Sequence, residues 1–600
     1  MTTHPMVTPI EPVDADPVVD ALRAVLVGSD GPVHERVRDA VLAVGYVPTS
    51  GQTQAQQATR TPDLLRAMIA EMGGSALDIA HDPHLRGITF EWTAVAAPAV
   101  LTVSSGQFNL AGPAVAASGG ESEYVRRCAA DLDTGKAVGV LALTELGGTN
   151  GSNCCTTATW DAAAGGFRLA TPDVDAAKFM PNVADPKTPK VVVVTARLKI
   201  GGRDEGVLPF LVPLRDAGGR LAPGVRVAAL SDKVGAAMDH AMMWFDPADC
   251  LIPRRALLGG DWACIGRDGA FECEVPLEKR FDHTIVVLSD GRLDLANAAI
   301  ASARAALAGV VNYASQRRPG KTVMIDRGPV QRDLVIGLAA VWATSVLGRQ
   351  LRELRATGSP QWSALWPMVA KPLLSAAAYK ILVTCRRRAG AQGTLRSNYI
   401  PDWIANADNI STAEGDDQIM QVAAGKRYHA LVELQLPDTP EDLPQHIELL
   451  TAREHAIADG LHRGDFGAAG PVWGWDSAAA ELATATGERL AATALHKAAS
   501  TATDPTAEHL LRSAAAAYAL DRIWQSGGWY AAHGWMTTDK AQQICTDLTR
   551  HRSILADSLP ELVAAFGIPA LPGAALFARD YREPYRQLWN GASANDRDTA

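Results

Sequence analysis

The sequence has no basic stripe. Its 56 lysines and arginines are scattered among 66 acidic residues, for a formal charge of −10, and only short groups such as Arg386-Arg387-Arg388 interrupt the scatter. Binding along a nucleic-acid backbone needs clustered cations to displace counterions, so that class of partner is excluded. Metal-ligand spacing is missing too. The eight cysteines, Cys128, Cys154, Cys155, Cys250, Cys264, Cys273, Cys385 and Cys545, include no Cys-x-x-Cys pair and no histidine at ligand spacing, which argues against a metal site. The neighbours Cys154 and Cys155 read as two reduced side chains beside a loop, not as a strained disulfide. The longest apolar stretch, residues 293–311, contains Asp294, Asn297 and Arg304, so no membrane span is expected. Residues 1–20 carry prolines and acids where a secretory signal needs a basic end and an apolar run. Residues 595–600 lack a peroxisomal tripeptide. These absences point to a cytoplasmic protein, and no repeat of fixed period suggests a solenoid.

What is present is ordinary globular composition. With 47% hydrophobic and 20% charged residues over 600 positions, the chain has room for roughly three to five units, each with its own core. Apolar residues at three and four spacing in 64–76 and 121–130 predict an all-α unit over residues 1–136. The pattern then changes to short β-branched or apolar runs at 138–143, 191–198, 207–214, 225–229 and 242–245, separated by Gly, Pro and Asp. They predict antiparallel strands in a β unit over 137–275. No proline occurs between Leu277 and Arg318, where Leu295, Ala299, Ala303, Ala306 and Val310 form a small-residue face. That predicts a long, closely packed helix. With 330–354 and 373–388 it makes a helical bundle over 276–435. The proline-rich segment 436–444 reads as a linker into a last α unit, 436–600, whose helical pattern runs over 447–565. The fold class is mainly α with a central antiparallel β domain.

Two motifs carry chemistry. Thr144-Glu145-Leu146-Gly147-Gly148 closes the first strand and opens a glycine-rich loop, 147–153, in which backbone N–H groups can approach a ligand. By itself it is also the kind of turn that ends many strands. Ser411-Thr412-Ala413-Glu414-Gly415-Asp416-Asp417-Gln418-Ile419 precedes a helical pattern, and Ser411 and Glu414 have the spacing of a capping box with acids in the first turn.

Taken in this order and at these separations, the segments resemble the acyl-CoA oxidase branch of the acyl-CoA dehydrogenase superfamily. The matching parts are Thr144 to Gly147 followed by Thr156-Thr157-Ala158-Thr159, then Lys178-Phe179-Met180-Pro181, Phe210-Leu211-Val212-Pro213, Lys233-Val234-Gly235, and Ile252-Pro253. Residues 313–317 and 388–393, Glu414-Gly415-Asp416, and a tail running from Asp521-Arg522-Ile523 through His533-Gly534 to Phe566-Gly567-Ile568-Pro569 complete the set. The resemblance implies an α domain, a β-barrel domain and two C-terminal helical domains.

It also implies roles. Glu414 matches the base that removes the α-proton of an acyl thioester while hydride leaves the β carbon for FAD. An apolar bundle, with Asp416 and Asp417 nearby, raises the pKa of such a carboxylate towards working pH. The backbone N–H of Glu414 matches a polariser of the thioester carbonyl, and Gly415 a substrate contact. Thr144 matches a hydrogen-bonder of the flavin ring, Ser152 a flavin-contacting serine, and Asn182 a position where oxidases have a glycine touching FAD through its backbone. Arg317 matches an arginine that grips the FAD pyrophosphate across a dimer interface, for which guanidinium geometry is suited. Gln331, Gly390, Gln392, Asp416 and Gln418 match further FAD contacts.

The departures are Asp417 for an asparagine, Thr394 for an aromatic, Ala391 for a glycine, and a rearranged loop at 147–155. They bear on the acyl group more than on the fold. The implied function is α,β-desaturation of an acyl-CoA in a homodimer, with O2 reoxidising the flavin to give H2O2. The alternatives are a dehydrogenase acting on an acyl-CoA or carrier-protein thioester with another electron acceptor, and a non-catalytic thioester-binding relative.

Overall fold

Side-chain oxygens of Asp16, Thr53, Ser75, Asp82 and Ser122 each accept a backbone N–H in the first turn of a helix, and Thr53 with Gln56 completes a capping box. These caps punctuate eight helices, from α1 (Pro17–Val27) to α8 (Glu123–Asp133). The computed structural model describes residues 16–49, 51–117, 122–148, 151–215, 218–235, 237–286, 288–468 and 472–598. Between α6 (Leu101–Ser104) and α7 (Ala111–Ala117), residues Ser105–Leu110 form a π-helical turn. Its Gln107 anchors it to the next element: Oε1 accepts from Gly139 N at 2.8 Å, and Nε2 donates to the carbonyls of Leu132 and Ala137. Gly106 is required there, since a Cβ would lie 2.2 Å from the Gly139 carbonyl oxygen.

The change from helix to strand falls between α8 and β1 (Val138–Ala142). One sheet has the order β1, β5 (Lys190–Ile200), β2 (Thr157–Asp161), β3 (Gly166–Ala170), β9 (Leu251–Pro253), with β6 (Arg203–Pro213) also on β5. A second sheet sets β8 (His240–Phe245) between β4 (Lys178–Asn182) and β7 (Val225–Ala229). Strand β5 is paired on both sides and buried from Lys190 to Ala196, which explains its unbroken Val-Val-Val-Val run. The pairings are antiparallel, as expected, except at β5, which β1 and β2 join in parallel. Strands β2, β3 and β4 lie outside the predicted runs; Thr157, Thr159, Arg168, Lys178 and Asn182 hide their apolar alternation.

The proline-free stretch divides. A short helix α9 (Arg280–Thr284) lies on β6 through a Thr284 Oγ1 to Val207 carbonyl bond of 3.1 Å, and the long helix α10 starts only at Leu288 and runs to Gln316. The small-residue face of α10 is buried throughout, from Leu295 to Val310. It packs against α5 (Pro83–Ala96) and against α12 (Leu365–Arg388), beside α11 (Gly328–Ala356). These three long helices are apolar enough to cross a membrane, but 89, 78 and 56% of their most apolar windows are buried inside the protein.

A continuous apolar core joins Leu22 and Ile88 to Leu307, Leu338, Trp342 and Leu490, whereas the strands keep a core of their own around Phe167, Val192 and Phe210. The helical parts before and after the β unit are therefore one packed body. Its last part runs from α16 (Gln445–Arg463) through α17 (Trp475–Ala499) and α18 (Pro505–Gln525) to residue 598, after the irregular segment 433–444.

Candidate active site

Helices α13 (Ile400–Thr412) and α14 (Asp417–Gly425) meet at a sharp elbow. The two residues that turn it have left-handed backbones, Glu414 at φ 54° and Gly415 at φ 109°. For a glutamate that conformation costs on the order of 1–2 kcal/mol and persists only where its surroundings fix it. Here they do. Arg292 Nε donates to the Glu414 carbonyl at 2.8 Å. The buried Lys371 Nζ donates to the Gly415 carbonyl and to Asp417 Oδ1, both at 2.8 Å, and Ser375 Oγ donates to Asp417 Oδ2 at 2.6 Å. The capping-box reading of Ser411 and Glu414 is corrected by this geometry. Ser411 lies in the last turn of α13, its hydroxyl bonded to the Asp408 carbonyl, and the cap of α14 is Asp416, which accepts from Gln418 N and Ile419 N at 2.9 and 3.2 Å. A helix that stops and restarts within four residues uses the same residue types as one that starts.

The carboxylate of Glu414 points into the protein. Its Oε1 accepts a hydrogen bond from Ser105 Oγ on the π turn, and its buried Oε2 has no hydrogen-bond partner among the described residues. Gly291, in the first turn of α10, supplies the room: a Cβ there would lie 2.1 Å from Oε2. Burial pushes the Glu414 carboxyl up to about 7, opposed by the Ser105 hydrogen bond and the charges of Arg292 and Lys371, and assisted by Asp294. The acids expected to raise it, Asp416 and Asp417, are otherwise engaged, one as a cap and the other on Lys371 and Ser375. A half-ionised carboxylate with one free oxygen is equipped to take a proton near neutral pH.

The other candidate residues are dispersed. Thr144 is exposed at the end of β1, its carbonyl accepting from Phe179 N at 2.9 Å. Beneath it, Glu145 is a buried hub that sequence reading passed over. It accepts from Lys178 Nζ (3.0 Å), Thr156 Oγ1 (2.7 Å), Thr156 N (2.9 Å) and Cys155 N (2.7 Å). Despite burial, Lys178 and these donors hold it well below the usual range, at about 2. Its place inside the Thr144 motif, paired with the lysine of the next matching segment, was the available signal. Ser152 is half-buried and its carbonyl accepts from Arg197 Nη2 at 3.0 Å; Cys154 and Cys155 are both free thiols.

Asn182 is buried and its side chain accepts from Asp239 N at 2.8 Å. Gln392 accepts from Asn398 Nδ2 and from the Tyr585 hydroxyl. Asn182, Gln392 and Asp416 thus have side-chain oxygens already engaged. Arg317 is exposed at the end of α10 and lies over the Tyr313 ring, 5.7 Å from its centroid. It forms no ion pair among the described residues, so its guanidinium stays available to an anion. Gln331 is half-buried in the first turn of α11, Gly390 is exposed with φ 59°, and Gln418 is exposed on α14. The hydrogen bonds of the described residues do not connect Thr144 or Arg317 to the Glu414 elbow. Exposed Thr144 and uncompensated Arg317 fit a flavin ring and a diphosphate; Asn182, Gln392 and Asp416 fit only through atoms not already engaged.

Residues 281–429, which hold α10 to α14 and the elbow, match the family model described as acyl-CoA dehydrogenase, C-terminal domain. The chain is 28% identical over 305 residues to acyl-coenzyme A oxidase 3, peroxisomal, of Arabidopsis thaliana, covering 49% of this chain and 45% of the relative. It is 28% identical over 508 residues to acyl-coenzyme A oxidase 2, peroxisomal, of the same plant, covering 73 and 72%. The chain thus spans about half the length of the first relative. Both relatives are named as peroxisomal, so the expected cytoplasmic location has no support from them. Among solved structures, acyl-CoA oxidase 1 of Yarrowia lipolytica superposes with a TM-score of 0.79 at 18% identity, over 95% of this chain and 92% of that one. Acyl-CoA oxidase-2 of Caenorhabditis elegans, bound with FAD, ascaroside-CoA and ATP, gives 0.78 at 17% identity over 98 and 96%.

Proposed function

We propose that the chain belongs to the acyl-CoA oxidase branch of the acyl-CoA dehydrogenase superfamily, as its similarities support, and that it is an FAD-dependent oxidase that converts an acyl-CoA into its trans-2-enoyl thioester. The observation that carries this reading is the Glu414 carboxylate, buried at a strained elbow, poised at about 7 and free at one oxygen. FAD, which Thr144, Ser152 and Arg317 would hold, would supply the acceptor for the hydride of the β carbon and, with O2 as oxidant, the chemistry that yields H2O2. The protein's own share is the proton. Glu414 withdraws it from the α carbon, and Arg292 and Lys371 keep the elbow rigid while it does so. The Glu414 backbone N–H is assigned to the thioester carbonyl, Gly415 to the acyl thioester, and Thr144, Ser152 and Arg317 to the flavin. Gln331, Gly390, Asn182, Gln392, Asp416 and Gln418 are assigned to its periphery.

In the same reading the chain forms a homodimer in which Arg317 reaches the partner's flavin, and it divides at residues 136, 275 and 435. Anaerobic titration of the purified protein with acyl-CoAs, followed by air, tests the reading. Bleaching of a flavin band that returns with peroxide supports it. A bleached band that air does not restore moves the assignment to a dehydrogenase, and a colourless protein that binds no FAD ends it.

A further inference from the structure

The Glu414 carboxylate is asymmetric. One oxygen is held and the other is bare: Oε1 takes the Ser105 hydroxyl, while Oε2 is buried, unpartnered among the described residues and lies in the space that a Cβ at Gly291 would take. Ser105 is delivered by an irregular piece of backbone. The chain passes from α6 into a π turn at this residue, and that turn is clamped to β1 by Gln107 and by the close approach of Gly106 to Gly139. A π turn holds more residues per revolution than an α-helix, so it re-aims the side chains that follow, and such turns recur at functional sites. Ser105 Oγ donates inward to Glu414, whereas Gln107, the other hydrogen-bonded anchor of the turn, faces the strand.

We propose that Ser105 is a positioning residue for proton abstraction: its hydroxyl fixes the Glu414 carboxylate through Oε1, so that Oε2 alone meets the α-proton. The step moves one proton from the α carbon to Oε2, leaving the carbanionic pair on the substrate and a neutral carboxyl that Ser105 still holds. This inference rests on the oxidase reading for its substrate, but the asymmetry itself belongs to the protein. A hydrogen bond donated to a carboxylate favours its ionised form, so Ser105 also keeps burial from protonating the base.

The test compares the parent with S105A and S105T. Glutamate labelled with carboxyl carbon-13 is incorporated, and the Glu414 signal is assigned by its absence in E414Q. Its titration is followed by NMR without substrate, and the acid limb of kcat/KM is followed with butanoyl-, octanoyl- and palmitoyl-CoA. Removing one charge-assisted hydrogen bond moves both upward by about one pH unit, so S105A loses about tenfold in kcat/KM below the limb, and S105T restores both. The inference is overturned if Glu414 titrates in S105A where it does in the parent, or if S105T behaves as S105A does. Should the parent be bleached by none of the three thioesters, the oxidase reading is in question, while the NMR titration still decides the role of Ser105. Each variant changes a side chain by one heavy atom, and far-UV circular dichroism and the thermal midpoint verify that it folds.

Discussion

Replacing Gly291 by alanine isolates the site from the stability of the fold. Glycine in a helix is disfavoured against alanine by up to about 1 kcal/mol, so in α10 the substitution leaves the helix at least as stable as before. The new methyl group, however, would stand 2.1 Å from Glu414 Oε2, 2.8 Å from its Cδ and 2.9 Å from Oε1. Contacts below 3.0 Å are not sustained by a Cβ, so the carboxylate must withdraw by about 1 Å or turn, and turning breaks the Ser105 hydrogen bond. A misplacement of about 1 Å at a reacting group costs on the order of 100-fold in rate, or about 2.7 kcal/mol of transition-state stabilisation. Stopped-flow bleaching of the flavin under anaerobic conditions, with whichever acyl-CoA the parent oxidises, reads this step directly. We expect G291A to bind FAD and melt as the parent does, while its bleaching slows by two orders of magnitude. A bleaching rate within about threefold of the parent, at equal FAD content, would show that Gly291 does not shape the space in which the base works.

Activity should rise with pH through about 7, because only the ionised Glu414 accepts a proton; a flat profile between pH 6 and 8 contradicts that. A raised carboxyl pKa also means that ionised Glu414 opposes folding above that pH, so at pH 8 E414Q should be inactive yet more stable, by up to about 3 kcal/mol, in urea unfolding. Lys371→Met removes the donor to the Gly415 carbonyl and leaves Asp417 uncompensated, a loss of about 3–5 kcal/mol; an unchanged thermal midpoint would mean that the elbow is held by other means. Arg317→Ala should shed FAD during gel filtration, read as a lower ratio of flavin to protein absorbance, and undiminished retention removes Arg317 from the flavin site.

Much of this protein was fixed locally. The switch from helical spacing to short apolar runs after residue 136 follows from side-chain periodicity, as does the small-residue face of α10, since burial on one side of a helix or strand must repeat with its pitch. Glu414 was legible through the ordered motifs around it. Two causes were expected for its raised titration, an apolar bundle and the adjacent Asp416 and Asp417. The fold keeps the first, burial among α10, α13 and the π turn, and drops the second, because those acids spend their charge on a helix cap and on Lys371.

What only tertiary structure decided are the partners that arrive from far along the chain. Ser105 is 309 positions from Glu414, and Arg292 is 122. Neither spacing has a period to betray it. The elbow that looked like a helix start, the fit of the Glu414 carboxylate against Gly291 and the Glu145 hub are likewise products of packing. Sequence by itself singled out Glu414 as the candidate base, and three-dimensional contact determined how its titration is shifted and which of its oxygens is free, because desolvation and hydrogen bonding depend on neighbours in space and not on neighbours in the chain.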